Sequence, residues 1–153
     1  EINGHLATAY VTSGSNGIYT VAFQRFDKAD ITRLDQPSCV LRFPLRVGIT
    51  CDAGHNEPVG DLEFPLSGTQ RTEAVDDTVV VPAGTFSHCV RVKSELKGST
   101  HVPGVPGESE LEATIVEWYA PNVGLVKQIG WEVADPASIG WGTRTMELMS
   151  FKK

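Results

Sequence analysis

Apolar and polar residues alternate along most of this chain, and where the alternation stops there is a proline, a glycine or an Asn-Gly pair. A period of two puts successive side chains on opposite faces of an extended strand. Residues 6–12 (LATAYVT) and 18–23 (IYTVAF) are the first two such runs. Ser13-Gly14-Ser15-Asn16-Gly17 between them is a hairpin turn, because Asn-Gly readily supplies positive φ. On the second run the alternation places Tyr19, Val21 and Phe23 on one face. Residues 26–37 are polar and close with Asp35-Gln36-Pro37, which predicts a short edge strand running into a turn. Residues 39–45 (CVLRFPL) point Cys39, Leu41, Phe43 and Leu45 one way; Pro44 has no N–H to give, so this strand is an edge or bends there. Residues 47–51 then lead into residues 52–58, a loop by composition.

Downstream, residues 61–67 and 70–75 read as two strands separated by Ser67-Gly68-Thr69, and residues 78–81 as a third that Pro82-Ala83-Gly84 interrupts. Residues 86–96 (FSHCVRVKSEL) form a long strand with Phe86, His88, Val90 and Val92 on one side. Ser87, Cys89, Arg91 and Lys93 occupy the other, partly wet side. Residues 97–110 are rich in Gly, Pro and Ser and read as a long hairpin loop. Residues 111–120 (LEATIVEWYA) are a strand, since Ile115, Val116, Trp118 and Tyr119 are β-formers and Pro121 closes the run. Pro121-Asn122-Val123-Gly124 turns the chain, residues 124–131 return as its partner, residues 132–140 are loop and residues 142–151 are the last strand. About ten short strands at such spacing imply an all-β domain. The expected form is one antiparallel, strongly curved sheet (a half-barrel) or a sandwich, spanning residues 1–153 as a single domain.

The size of 153 residues is enough for a substantial core without metal or disulfide staples. A net charge of −6 with scattered basic residues argues against nucleic acid and against a polybasic membrane patch. No run approaches the roughly 20 apolar residues of a spanning helix. No export signal is visible in a chain that begins at Glu1, which leaves its compartment open. The three cysteines Cys39, Cys51 and Cys89 match no zinc spacing. One disulfide fits an exported protein, and the spacing does not choose the pair.

Motifs that would carry catalysis are missing: there is no G-x-S-x-G, H-E-x-x-H, P-loop or G-x-G-x-x-G. His5, His55, His88 and His101 are far apart, and His88, alternating with Phe86 and Val90, is expected to face an apolar layer. Asp76 and Asp77 are adjacent, so a strand would aim them oppositely and they cannot form an acid/base couple by local spacing. Glu108, Glu110 and Glu112 alternate and read as a wet strand end. The suggestive set is aromatic: Tyr19, Phe23, Trp118, Tyr119, Trp131 and Trp141 all lie on strands or strand ends. They are the candidate lining of a cleft for an apolar ligand, or else simply core. A competing reading is a small hydrolase or metal-binding protein using Cys51, His55, His88 or Cys89.

Four segments carry a resemblance. Phe43-Pro44-Leu45-Arg46-Val47-Gly48, then Val81-Pro82-Ala83-Gly84-Thr85-Phe86 with Cys89-Val90-Arg91-Val92, then Trp118 to Lys127 (WYAPNVGLVK), and a closing Glu147-Leu148 resemble a set of uncharacterised bacterial exported proteins. Those proteins have PL-x-x-G, VPAGTF and YAPGVGLVK segments and a terminal EL strand in this order. They look like curved half-barrels, distantly similar to the periplasmic carriers that shuttle lipoproteins. The resemblance covers roughly residue 41 to the end. It implies a periplasmic or otherwise exported location and an apolar small molecule, lipid or envelope protein as partner. It offers no catalytic residues and no cofactor. This chain departs from the pattern near Cys51, where such proteins often carry Trp, and it has no segment that reads as a lid helix. The residues together favour a non-catalytic binding or structural module of the bacterial cell envelope over an enzyme.

Overall fold

Backbone ladders decide this fold. In the computed structural model, which describes residues 7–25, 29–59, 62–135 and 141–152, the described residues form nine antiparallel strands and no helix. The all-β expectation holds. The strands divide between a three-stranded sheet, made by the first three strands, and a six-stranded sheet, made by the last six, each with its strands in chain order. Neither sheet closes into a barrel. Two compact units, Glu1–Pro44 and Leu45–Lys153, each contain one of them.

In the first unit β1 (Ala7–Gly14), β2 (Gly17–Arg25) and β3 (Thr32–Arg42) make a meander. The hairpin closes where expected, Gly14 opposite Gly17 across Ser15-Asn16. Two local expectations change. β2 carries an extra residue, Val21, against β1, so Tyr10 pairs with Ala22 and Ala9 with Phe23 while Thr12 pairs with Tyr19. Ala9 and Thr12 are three apart on a regular strand, so Tyr19 and Phe23 lie on opposite faces rather than one. β3 runs straight through Asp35-Gln36-Pro37, where a turn is expected, and ends at Arg42 rather than Leu45. Its pairing jumps from Ser38 to Arg33 while β2 advances from Thr20 to Ala22, so Pro37 sits in the slack and breaks no ladder bond.

The second unit is built on β5 (Leu62–Val81) and β6 (Gly84–Thr100), of 20 and 17 residues. Sequence reading breaks β5 at Ser67-Gly68-Thr69, but Gly68 is no turn. A Cβ there would run into the carbonyl oxygen of Glu95, so glycine lets β5 and β6 approach. β4 (Thr50–Val59) occupies the stretch expected as loop and pairs with β5 from Thr50 opposite Arg71 to Val59 opposite Leu62. As an edge strand it uses one row of hydrogen bonds, which is why polar residues and Pro58 do not exclude it. β7 (Ser109–Ala120) and β8 (Gly124–Asp135) join through Pro121-Asn122-Val123 as expected, with Asn122 at φ 60 and Gly124 at φ 100. β8 extends past Trp131. β9 (Trp141–Glu147) is the other edge and ends before residue 151. The remainder of the expected 132–140 loop, residues 136–140, lies outside the described residues, as do Leu6, His5, residues 26–28 and Asp61.

Register gives this sheet two faces. Val92, Ser94 and Leu96 of β6 lie opposite Glu117, Ile115 and Ala113 of β7, which in turn lie opposite Gln128, Gly130 and Glu132 of β8. On this Val92 face Phe64, Leu66, Leu96, Leu111, Ala113, Ile115 and Ala134 form one core cluster. Phe64 is fully buried. A second cluster of Val79, Val81, Cys89, Ala120 and Val126 gathers Phe86, Trp118 and Leu148 at the β5–β6 hairpin end.

One residue reverses the expected facing there. Between the pairs Val79–Phe86 and Asp77–Cys89 β5 advances two residues and β6 three, with His88 at φ 57. This bulge shifts the parity of β6. His88, the added residue, points to solvent instead of an apolar layer, and Phe86 moves to the face of Cys89, which keeps its expected place beside Arg91 but is 0% exposed rather than partly wet.

Candidate functional site

β7 reads Ser109, Leu111, Ala113, Ile115, Glu117 and Tyr119 along the Val92 face, so an apolar row gives way to a carboxylate and a phenol. β8 supplies Gln128 directly opposite Glu117. Tyr119 Oη donates to Glu117 Oε2 at 3.0 Å, and Gln128 Nε2 donates to Glu117 Oε1 at 2.7 Å. Both carboxylate oxygens are thus held by neutral donors. Desolvation first, then the Glu117 charge and the hydrogen bond to it, push the Tyr119 phenol well above its ordinary value. Thr72 and Ser94 line the same face and are 3% and 5% exposed. Gln70, also buried, has the Cys51 sulfur 3.6 Å from its Oε1; Cys51 is disulfide-bonded and has no proton to give. The arrangement is an apolar floor ending in fixed hydrogen-bond acceptors. It can orient a polar group.

The opposite face carries a second cluster. Arg91 and Trp118 are cross-strand neighbours, and Asp77 Oδ2 serves both, accepting from Trp118 Nε1 at 3.1 Å and from Arg91 Nη1 at 3.0 Å. Arg91 Nε also lies 3.4 Å from Glu73 Oε2. Asp76, the adjacent carboxylate, takes His88 Nδ1 instead. The two acids do face different ways, and Asp77 is an internal tie. Beside it, Cys89 Sγ donates to Phe86 O at 3.4 Å, and burial, then Asp77, push its thiol up. A raised value keeps the sulfur protonated and unreactive at neutral pH.

The six aromatic candidates do not form one set. Trp118 and Trp131 share a face, but Trp118 packs into the hairpin-end cluster. Trp131 pairs with Thr114, four residues or about 13 Å along the sheet, and is 42% exposed. Tyr119 is on the other face. Tyr19 and Phe23 belong to the first unit and oppose each other across its sheet. The Trp141 backbone pairs with Val133, and its side chain lies outside the described residues. Of the competing set, Cys51 is disulfide-bonded, as is Cys39 in the first unit, and Cys89 is the free thiol. His88 is on the surface, and the His55 side chain lies outside the described residues. Among the described residues no group of three His, Cys, Asp or Glu side chains is disposed to hold a metal ion. No described helix is long and apolar enough to cross a membrane.

Glu117 and Gln128 escape a reading that looks for aromatics. Their signal is nonetheless in the chain: each interrupts an alternating row, Ile115-x-Glu117-x-Tyr119 and Val126-x-Gln128-x-Gly130. A polar side chain inside an apolar stripe must find a buried partner. The two rows carry the candidate surface, and both lie in the stretch that has a recognisable likeness. No curated protein and no solved structure matches the chain. Residues 63–132, from β5 through most of β8, match the model of a family described as DUF3108-like, a likeness to a family of unknown function.

Proposed function

We propose that the chain is a non-catalytic binding or structural module of the bacterial cell envelope, and that its six-stranded sheet takes an apolar small molecule or lipid. The observation that carries this is the Val92 face, where the cluster from Phe64 to Ala134 runs into Glu117 and its two donors, Tyr119 and Gln128. Such a surface, apolar with a few fixed polar groups, suits an amphipathic ligand. The groups a hydrolase would use support the same reading, because Cys51 is oxidised and the Cys89 thiol is held protonated. An oxidised Cys39 and Cys51 favour an oxidising compartment, in keeping with the exported proteins the sequence resembles. The aromatic lining enters this reading only through Tyr119. Trp131 and the neighbouring Val133, 42% and 63% exposed, offer a second apolar surface for an envelope protein.

Titration of the full chain with N-phenyl-1-naphthylamine tests the proposal. Saturable uptake near one probe per chain, displaced by a medium-chain amphiphile, is the expected result. A folded chain that takes up no probe ends the ligand-binding reading.

A further inference from the structure

Gly130 lies at the centre of the Val92 face of β8, buried, yet a Cβ built on it would meet no atom of the described residues within 4 Å. Most covered strand positions are filled by a side chain, because interiors pack closely. Here the space stands open. Ile115 of β7 and Arg144 of β9 are directly opposite Gly130 on either side, and Gln128 is the next residue along the same face.

Gln128 is 9% exposed and spends its amide donor on Glu117, while its Oε1 is covered and has no partner among the described residues. A buried carbonyl without a donor is costly and rare, which marks the place where a donor belongs. Glu117 adds a charge. Its two partners are both neutral, and no cation pairs with it among the described residues. Arg144, the nearest cation by register, is engaged with Glu132 at 3.8 Å. The site thus presents an unmet acceptor, an uncompensated carboxylate and an open space. Ile115 begins its apolar floor, which continues along β7 through Ala113 and Leu111.

We propose that this place binds a primary alkylamine. Its ammonium donates to Gln128 Oε1 beside Glu117, and its chain lies over Gly130 and Ile115 toward Ala113. The inference rests on the binding role proposed above and goes further by naming where the ligand sits and what head group it carries. A carboxylate head meets Glu117 with the wrong sign. An alcohol can donate to Gln128 but leaves the charge unanswered.

Calorimetric titration of the full chain with decylamine, decanol and decanoate, each below its micelle concentration at pH 7, tests it. Decylamine binds about tenfold tighter than decanol, as a charged hydrogen bond exceeds a neutral one, and decanoate is weakest. Gly130→Leu fills the space and lowers decylamine affinity at least about tenfold, with the unfolding midpoint unchanged or raised. Glu117→Gln, which keeps the shape and removes the charge, abolishes the preference for decylamine over decanol. Equal binding of all three probes, or decanoate binding tightest, overturns the site and its head group while leaving an apolar-ligand role standing. Decylamine affinity unaffected by both substitutions does the same. If none of the three binds a folded chain, the site and the binding role fall together.

Discussion

Asp77→Ala is the substitution whose cost can be worked most directly from the structure. Asp77 is 26% exposed at its side chain and Arg91 35%, so neither is in bulk water and neither is fully desolvated. The mutation removes the Trp118 Nε1 bond of 3.1 Å, a neutral donor on a charged acceptor, worth about 1.5–3 kcal/mol. It also removes the 3.0 Å pair with Arg91, which at this exposure is screened to about 0.5–1 kcal/mol. Arg91 keeps Glu73 at 3.4 Å, so its charge is not stranded. The sum is about 2–4 kcal/mol. Asp77→Asn retains an oxygen for Trp118 and should lose roughly half as much. All three tryptophans, Trp118, Trp131 and Trp141, belong to the second unit, so urea unfolding followed by their fluorescence reports the right part of the molecule. An unchanged m value with a lowered midpoint is expected. A loss below about 0.5 kcal/mol for Asp77→Ala, the size of an ordinary surface change, would refute the tie. Identical losses for the Ala and Asn variants would show that the tryptophan bond is not made.

Three further outcomes follow from the same structure. Cys89 and Tyr119 have folded values raised above their ordinary 9.0 and 10.0, so the folded chain keeps protons that the unfolded chain releases. Their contribution is therefore fully present below about pH 9 and is lost as pH rises from there toward the folded values, a decline that unfolding at stepped pH should show and that Cys89→Ala with Tyr119→Phe should flatten. Thiol titration in denaturant should find one free thiol, Cys89, before reduction and all three cysteines after it; more than one before reduction contradicts the oxidised state of Cys39 and Cys51. Gly68→Ala should cost about 1–3 kcal/mol because its Cβ meets the Glu95 carbonyl, whereas Gly130→Ala, entering open space, should be neutral or gain up to about 1 kcal/mol; equal effects in thermal unfolding would contradict the register.

Local chemistry explains what the chain reveals unaided. Asn16-Gly17 and Pro121 to Gly124 turn the backbone wherever they stand, because the needed φ is a property of those residues, and both turns are where the sequence puts them. Period-two alternation likewise marks β7 and β8 and with them the all-β class. Gly68 and the polar stretch of β4 are different. Composition cannot distinguish a glycine that turns the chain from one that admits a neighbouring carbonyl, nor a polar loop from an edge strand held by its partner's hydrogen bonds. Those distinctions exist only once β5 has β4 and β6 beside it.

Facing is more fragile still. One added residue at His88 puts Phe86 on the face of Cys89, and one at Val21 separates Tyr19 from Phe23, because each insertion reverses every side chain beyond it. The candidate surface shows both levels at once. Glu117 and Gln128 are each visible as polar breaks in an apolar row, but they stand eleven residues apart and meet only because β7 and β8 pair in one particular register. Alternation is a property of a single strand and so is written in its residues. Which strand lies opposite, and in what register, is settled by the packing of the whole sheet, and that alone brings the carboxylate, the amide and the open space over Gly130 together.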